Sequence, residues 1–278
     1  MPANLPGTFM FYLILALSGA LTGVTTVLFG FGGGFVVVPL LYRMLSASQD
    51  AATASSAMHV AVATSTAVMI LNAVLATRKQ AHAGNLLRAY LWPWAGFIAV
   101  GAVIGAFVAV ATSSDFVRFA FIAYLAVTIA DCIGRRGFLS RRDTGNPRLL
   151  SRTDTVAGGI AIGVIATFLG VGGSVMTVPL LRRRGLSMAQ ATAMANPLSL
   201  PVALAGTASY AVLGWLQPVP TNAWQLGYIN VPAFLLLACG SLLGIQLTSR
   251  FLGRVPDRMH ARIYVGLLVV VMSSMLIK

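Results

Sequence analysis

The stretch Gly30-Phe31-Gly32-Gly33-Gly34-Phe35-Val36-Val37-Val38-Pro39-Leu40-Leu41 returns as Gly170-Val171-Gly172-Gly173-Ser174-Val175-Met176-Thr177-Val178-Pro179-Leu180-Leu181, 140 residues later. Outward from it the match continues. Gly19 and Gly23 correspond to Gly159 and Gly163 at the same offset, and Leu45-Ser46 and Gln49 to Leu186-Ser187 and Gln190 at offset 141. Gly101 and Gly105 correspond to Gly240 and Gly244 at offset 139. Separated anchors at nearly one spacing mark an internal duplication.

The surroundings of the two copies define the solvent. Of 278 residues, 58% are hydrophobic and only 9% charged, too few charges to cover a water-facing surface. Mean hydropathy is +0.85. Apolar segments run at 9–29, 34–45, 51–76, 89–111, 116–134, 155–169, 174–181, 189–214, 228–252 and 261–277. A spanning helix takes roughly 20 apolar residues, so the chain reads as one all-α polytopic membrane domain over 1–278. Little is left for a soluble catalytic domain. The first run has no basic residue before it, so it reads as a retained helix rather than a cleaved signal.

The expected architecture is two five-helix halves, 9–134 and 155–277, joined by a linker at 135–154. That linker carries Arg135, Arg136, Arg141, Arg142, Arg148 and Arg152. With it in the cytoplasm and five crossings per half, 16 of the 19 Lys and Arg fall inside. Only Arg43, Arg118 and Lys278 fall outside. An odd number of crossings makes the halves an inverted repeat, the plan of many secondary transporters, with both termini periplasmic. The net charge of +13 is explained by the membrane rule and needs no nucleic-acid partner.

Inside lipid every backbone polar group needs an internal partner, and each glycine weakens a helix by about 1 kcal/mol relative to alanine. Gly30–Gly34 and Gly170–Ser174 therefore read as breaks, either re-entrant hairpins or turns. Pro39 and Pro179 can end or kink the short helices that follow. The first N–H groups of those helices lack intrahelical partners and carry a partial positive charge. Gly32, Gly33, Gly34, Gly172, Gly173 and Ser174 are the candidate backbone cradle for an anion. The alternative is that these glycines only allow tight packing.

Polar residues open the third segment of each half: Gln49, Asp50, Ser55, Ser56 and His59 in the first, Gln190 and Asn196 in the second. At offset 141, Asn196-Pro197 falls on Ser55-Ser56. Gln49, Ser55, Ser56, Gln190 and Asn196 are candidate neutral donors, and His59 and Asp50 are candidates for a proton relay. Each has a plainer reading: a hydroxyl bonded within its helix, a structural histidine, or Asp50 paired with Arg43. Asp131, four residues before Arg135, is expected to form a helix-end ion pair. Cys132 and Cys239 lie in apolar runs and read as filler, without a disulfide framework. The GxxxG pairs read as close helix contacts. No metal motif, P-loop or nucleophile–base constellation is present in the sequence, so neither an enzyme nor a cofactor is expected.

The duplicated Gly-x-Gly-Gly, apolar run and Pro-Leu-Leu resembles the TauE/SafE sulfite exporter family, also called TSUP, over essentially the whole chain. Gly84-Asn85 and Gly227-Tyr228-Ile229-Asn230 extend the resemblance. It implies a bacterial inner-membrane transporter of small sulfur-containing anions such as sulfite, organosulfonates or thiosulfate. Substrate, direction and coupling ion stay open, and a homo-oligomer is compatible. A passive anion channel, or an importer of a related oxyanion, is the alternative. Ser174 stands where the first copy has Gly34, which leaves open whether both copies bind alike.

Overall fold

The computed structural model describes residues 5–48, 51–84, 86, 91–92, 94–134, 151–216, 224–251 and 255–276. They form eleven α-helices and one two-stranded hairpin, and the protein is an all-α polytopic membrane protein. In the first half α1 (Leu5–Phe29) is followed by the short α2 (Gly34–Ser46), α3 (Ala51–Ser55), α4 (Ala57–His82), α5 (Trp94–Val110) and α6 (Ser114–Gly134). In the second a π turn at Asp154–Gly158 leads into α7 (Gly159–Leu169), then the short α8 (Ser174–Arg183) and α9 (Met188–Leu216). The strands β1 (Gln225–Leu226) and β2 (Ile229–Asn230) precede α10 (Val231–Thr248) and α11 (Asp257–Leu276). Six helices are long and apolar enough to cross a membrane: α1, α4, α6, α9, α10 and α11.

Helices α2 and α8 continue through Pro39 and Pro179 to Ser46 and Arg183, so neither proline ends its helix. The central linker expected at 135–154 lies almost wholly outside the described residues; only its last turn, 151–154, is described.

Small residues set the tightest helix pairs. A Cβ on Gly19 would meet the backbone of Leu237 and Gly240, and one on Gly23 that of Ser241 and Ile245. The two registers advance together, so α1 and α10 run parallel. In the same way Gly101 abuts Ile160 and Gly105 abuts Val164, so α5 and α7 run parallel. The GxxxG pairs thus do what their spacing predicts: they bring backbones into contact where a methyl would collide.

Helices α4 and α9 form the centre, and α4 is the most enclosed of the six long helices. The rim is apolar and exposed: Leu13, Leu17 and Leu21 on α1, Val100, Ile104 and Phe107 on α5, and Leu235, Leu243 and Leu247 on α10. A belt of this kind is a lipid-facing surface. Trp92 lies exposed just before α5, Trp215 in the last turn of α9 and Trp224 just before β1. Interfacial tryptophans of this kind flank a bilayer core. Cys132 is buried and Cys239 exposed, and both are free thiols.

Candidate functional site

Both glycine runs are unwound and they meet. Helix α1 stops at Phe29, and Gly30, Gly32 and Gly33 take φ of 72°, 65° and 107° before α2 begins. Helix α7 stops at Leu169, and Gly170 and Gly172 take φ of 68° and 59° before α8 begins. Only glycine adopts such angles at low cost. Neither helix start is capped by a side chain, so their first N–H groups depend on whatever lies in front of them.

A Cβ on Gly34 would collide with the carbonyl oxygen of Gly170 and approach Ser65 Oγ to 2.8 Å. Ser65 Oγ donates to that same Gly170 carbonyl at 2.8 Å. Cβ atoms on Gly32 and Gly172 would both press on Met69 and Ser199. The two breaks, 140 residues apart in sequence, are therefore one buried seam between α4 and α9.

The seam is ringed with buried polar atoms that have no partner. Ser174 Oγ, both amide atoms of Asn196, Asn72 Oδ1, Thr22 Oγ1 and Thr167 Oγ1 are all unbonded in residues with no exposed surface. Asn196 lies on the face of α9 that presents Thr192 and Ala195 to Gly30 and Ser199 to Gly32 and Gly172. Asn72 reaches the first break, with Nδ2 weakly placed for the Gly32 carbonyl at 3.5 Å. Buried polar groups in folded proteins are nearly always satisfied, and each orphan costs about 1–3 kcal/mol. The concentration of such atoms at two uncapped helix starts makes this seam the candidate site. Tyr264 closes one side, its hydroxyl donating to the Ser174 carbonyl at 3.4 Å, within the ring stack of Phe29, Phe31 and Phe35.

The remaining expected site residues lie elsewhere. Ser55 is exposed and Ser56 donates to Thr53 at 3.4 Å, both at the entrance of α4. That is nine residues before Ser65, or about 14 Å along a helix. Gln190 caps α9 in a reciprocal box: its Oε1 accepts from the Ser187 N–H at 3.1 Å, and its own N–H donates to Ser187 Oγ at 3.2 Å. Gln49 and Asp50 lie outside the described residues. His59 is a structural bolt. Its Nε2 faces the carbonyls of Ala109 and Thr112, each at 3.0 Å, and its Nδ1 accepts from Ser114 Oγ at 3.3 Å. Two carbonyl acceptors require Nε2 to carry a proton. Asp131 pairs with Arg183, from the other half.

The mismatch at Ser55-Ser56 has a precise cause. The Met58 N–H donates to Ser114 Oγ, at the start of α6, and the Met188 N–H donates to Asp257 Oδ1, at the start of α11. These are equivalent bonds at an offset of 130, not 141. Helix α3 and its flanks lengthen the first half by about one helical hairpin turn before α4 begins. The residue of α4 equivalent to Asn196 is Thr66, and Ser199 answers to Met69. Ser65, Met69 and Asn72 were legible only as ordinary span residues.

One end of the molecule is held by charge. Arg182, Arg183 and Arg184, at the C-terminus of α8, each pair with an aspartate from a different element. Arg182 is bidentate with Asp257 of α11, NH1 to Oδ1 at 3.1 Å, and also donates to the Leu186 carbonyl. Arg183 pairs with Asp131 of α6, and Arg184 with Asp154 at the head of the π turn. Hydrogen bonds from Ser151, together with Arg184, hold the Asp154 carboxyl below its usual value.

The sulfite exporter TauE/SafE family model matches residues 15–275. The chain belongs to this family. It is 26% identical over 270 residues to a probable membrane transporter protein of Haemophilus influenzae, covering 97% of this chain and all of that one. It is 24% identical over 247 residues to a probable membrane transporter protein of Methanocaldococcus jannaschii, covering 85% and 86% of the two chains. No solved structure matches. This TauE/SafE protein is thus a multi-pass membrane transporter.

Proposed function

We propose that the protein is a secondary transporter of small sulfur-containing anions, binding them at the seam between the two glycine breaks. The observation that carries the reading is the pairing of two uncapped helix starts with the unpartnered Asn196 amide and Ser174 hydroxyl. An oxyanion offers several acceptors at once. Backbone N–H groups, helix dipoles and neutral amide or hydroxyl donors are suited to it, and avoid burying a cation in lipid.

Alternating access is the mechanism that the connectivity favours. The parallel pairs α1 with α10 and α5 with α7 support two halves of opposite insertion, exchanging partners across the seam. Every residue from Gly30 to Gly34 and from Gly170 to Ser174 is buried. The anion therefore enters only when one bundle rocks against the other, and not along a standing pore. With the positive-inside orientation, the Arg182–Arg184 end faces the cytoplasm and closes that side. Export out of the cytoplasm across the inner membrane begins by releasing those ion pairs.

Proteoliposomes loaded with labelled sulfite or a short alkanesulfonate test the reading. Saturable flux, lost in Gly33→Leu and Gly173→Leu variants that still fold, is the expected result. Unchanged transport in both variants removes the seam from the mechanism. Flux that never saturates supports a channel instead.

A further inference from the structure

We propose that the Met69 side chain is the movable stopper of the anion site, and that it sets how much carbon an accepted sulfonate carries. The inference rests on the seam being the anion site. Met69 has no exposed surface, and its side chain, like that of Ser199, touches both breaks at once. A Cβ on Gly32 would lie 3.0 Å from its Cγ and 3.2 Å from its Sδ, and one on Gly172 would lie 3.0 Å from Sδ. The position equivalent to Met69 in α9 holds Ser199, whose Oγ would stand 3.0 Å from the same Gly172 Cβ. One half thus presents a hydroxyl to the seam and the other a thioether.

That asymmetry has chemical meaning. Ser199 Oγ donates to the Ala195 carbonyl at 2.8 Å, so its lone pairs, not its proton, face outward; it orients a bound donor or water rather than the oxyanion. The orphaned donors, the Asn196 amide and the Ser174 hydroxyl, lie on the side of the second half. Met69 comes from the first half and lies against Gly32, next to Phe31, whose ring stacks on Phe35 and Tyr264. A sulfonate headgroup on the donors would direct its carbon substituent at Met69 and this ring stack. Methionine is unbranched, with three rotatable bonds and a soft sulfur, so it can withdraw and repack where a branched residue cannot. Gly32 and Gly172 present backbone rather than side chains to it.

The experiment is uptake by proteoliposomes of sulfite and of methane-, ethane- and butanesulfonate, for the full chain and the variants Met69→Ala, Met69→Leu and Val68→Ala. Val68 is buried on the neighbouring face, away from the breaks, and serves as the control. One methylene in a fitted pocket discriminates by roughly 10-fold or more. Met69→Ala is therefore expected to raise the butanesulfonate-to-sulfite ratio at least ~10-fold. Met69→Leu keeps the volume and the fold but stiffens the stopper. It is expected to lower the butanesulfonate-to-sulfite ratio. Val68→Ala is expected to leave every ratio unchanged. Equal ratios in the unsubstituted protein and both Met69 variants overturn the proposal while leaving the anion site standing. Absence of flux for all four anions in the unsubstituted protein overturns the site itself, and Met69's role with it.

Discussion

Gly34 and Gly170, from opposite halves, approach so closely that no Cβ fits between the first residue of α2 and the Gly170 carbonyl oxygen. Ser65 donates to that oxygen at 2.8 Å and locks the contact to α4. The equivalent position in the second half is Ser174, which carries its Cβ without such a collision. The seam is therefore not symmetric: at this contact the first copy must be glycine, and the second is not.

Gly34→Ala forces the two breaks apart. Overpacking of a rigid, backbone-lined contact costs about 1–3 kcal/mol or more. The variant is expected to melt several degrees lower in detergent and to lose transport, whereas Ser174→Gly, which only removes atoms, is expected to melt close to the unsubstituted protein. Thermal melting followed by size-exclusion chromatography checks both.

Asn196→Leu separates binding from folding. An amide with no partner contributes nothing to the fold in hydrogen bonds and costs about 1–3 kcal/mol to bury. The leucine variant is expected to be as stable as the unsubstituted protein or more so, with transport at least ~10-fold lower, the loss expected for a hydrogen bond to a charged group at about 1.5–3 kcal/mol. A marked loss of stability in Asn196→Leu would show that the amide is structural.

The three ion pairs of α8 are unequal. The Arg182 side chain is 3% exposed and its partner Asp257 also caps α9 through the Met188 N–H at 2.7 Å. Removing one partner of a buried pair costs about 3–5 kcal/mol, so Asp257→Asn is expected to be strongly destabilising. Arg183 is 42% exposed, and Arg183→Gln is expected to cost less than about 1 kcal/mol. Comparing the two melting temperatures tests the ranking.

Acid acts on the same end through Asp154. Its pKa is lower in the folded protein than in the unfolded chain, so its stabilising contribution is present above the ordinary carboxylate value. That contribution fades as pH falls through the depressed value. Asp154→Asn is expected to melt below the unsubstituted protein at neutral pH, and the two curves are expected to converge in acid. A gap that persists unchanged at low pH would show that Asp154 acts by something other than its charge.

The register of the second polar cluster shows where one-dimensional reading stops. Ser55-Ser56 falls on Asn196-Pro197 when the 141-residue offset of Leu45-Ser46 and Gln49, close to the 140 of the glycine motifs, is carried forward. In the folded chain α3 and its flanks intervene only in the first half, so the true partners of the α9 face are Thr66 and Met69. A difference in loop length leaves no mark on a local motif. Gln190 illustrates the same limit: Ser187-x-x-Gln190 is a capping box, a role its spacing allows as readily as that of a ligand donor.

What the sequence determined by itself was everything governed by the solvent and by the backbone. Sparse charge demanded lipid, glycine runs demanded that helices stop there, and GxxxG spacing demanded close helix contact. These are local or compositional rules, independent of partners. Which side chains surround the breaks was decided only by tertiary structure. Ser65, Met69 and Asn72 reach the seam because α4 crosses it at one particular height, and Asp131 meets Arg183 of the other half because α6 and α8 end side by side. Such heights follow from how whole helices pack against each other, a sum of many weak contacts that no short stretch of chain contains.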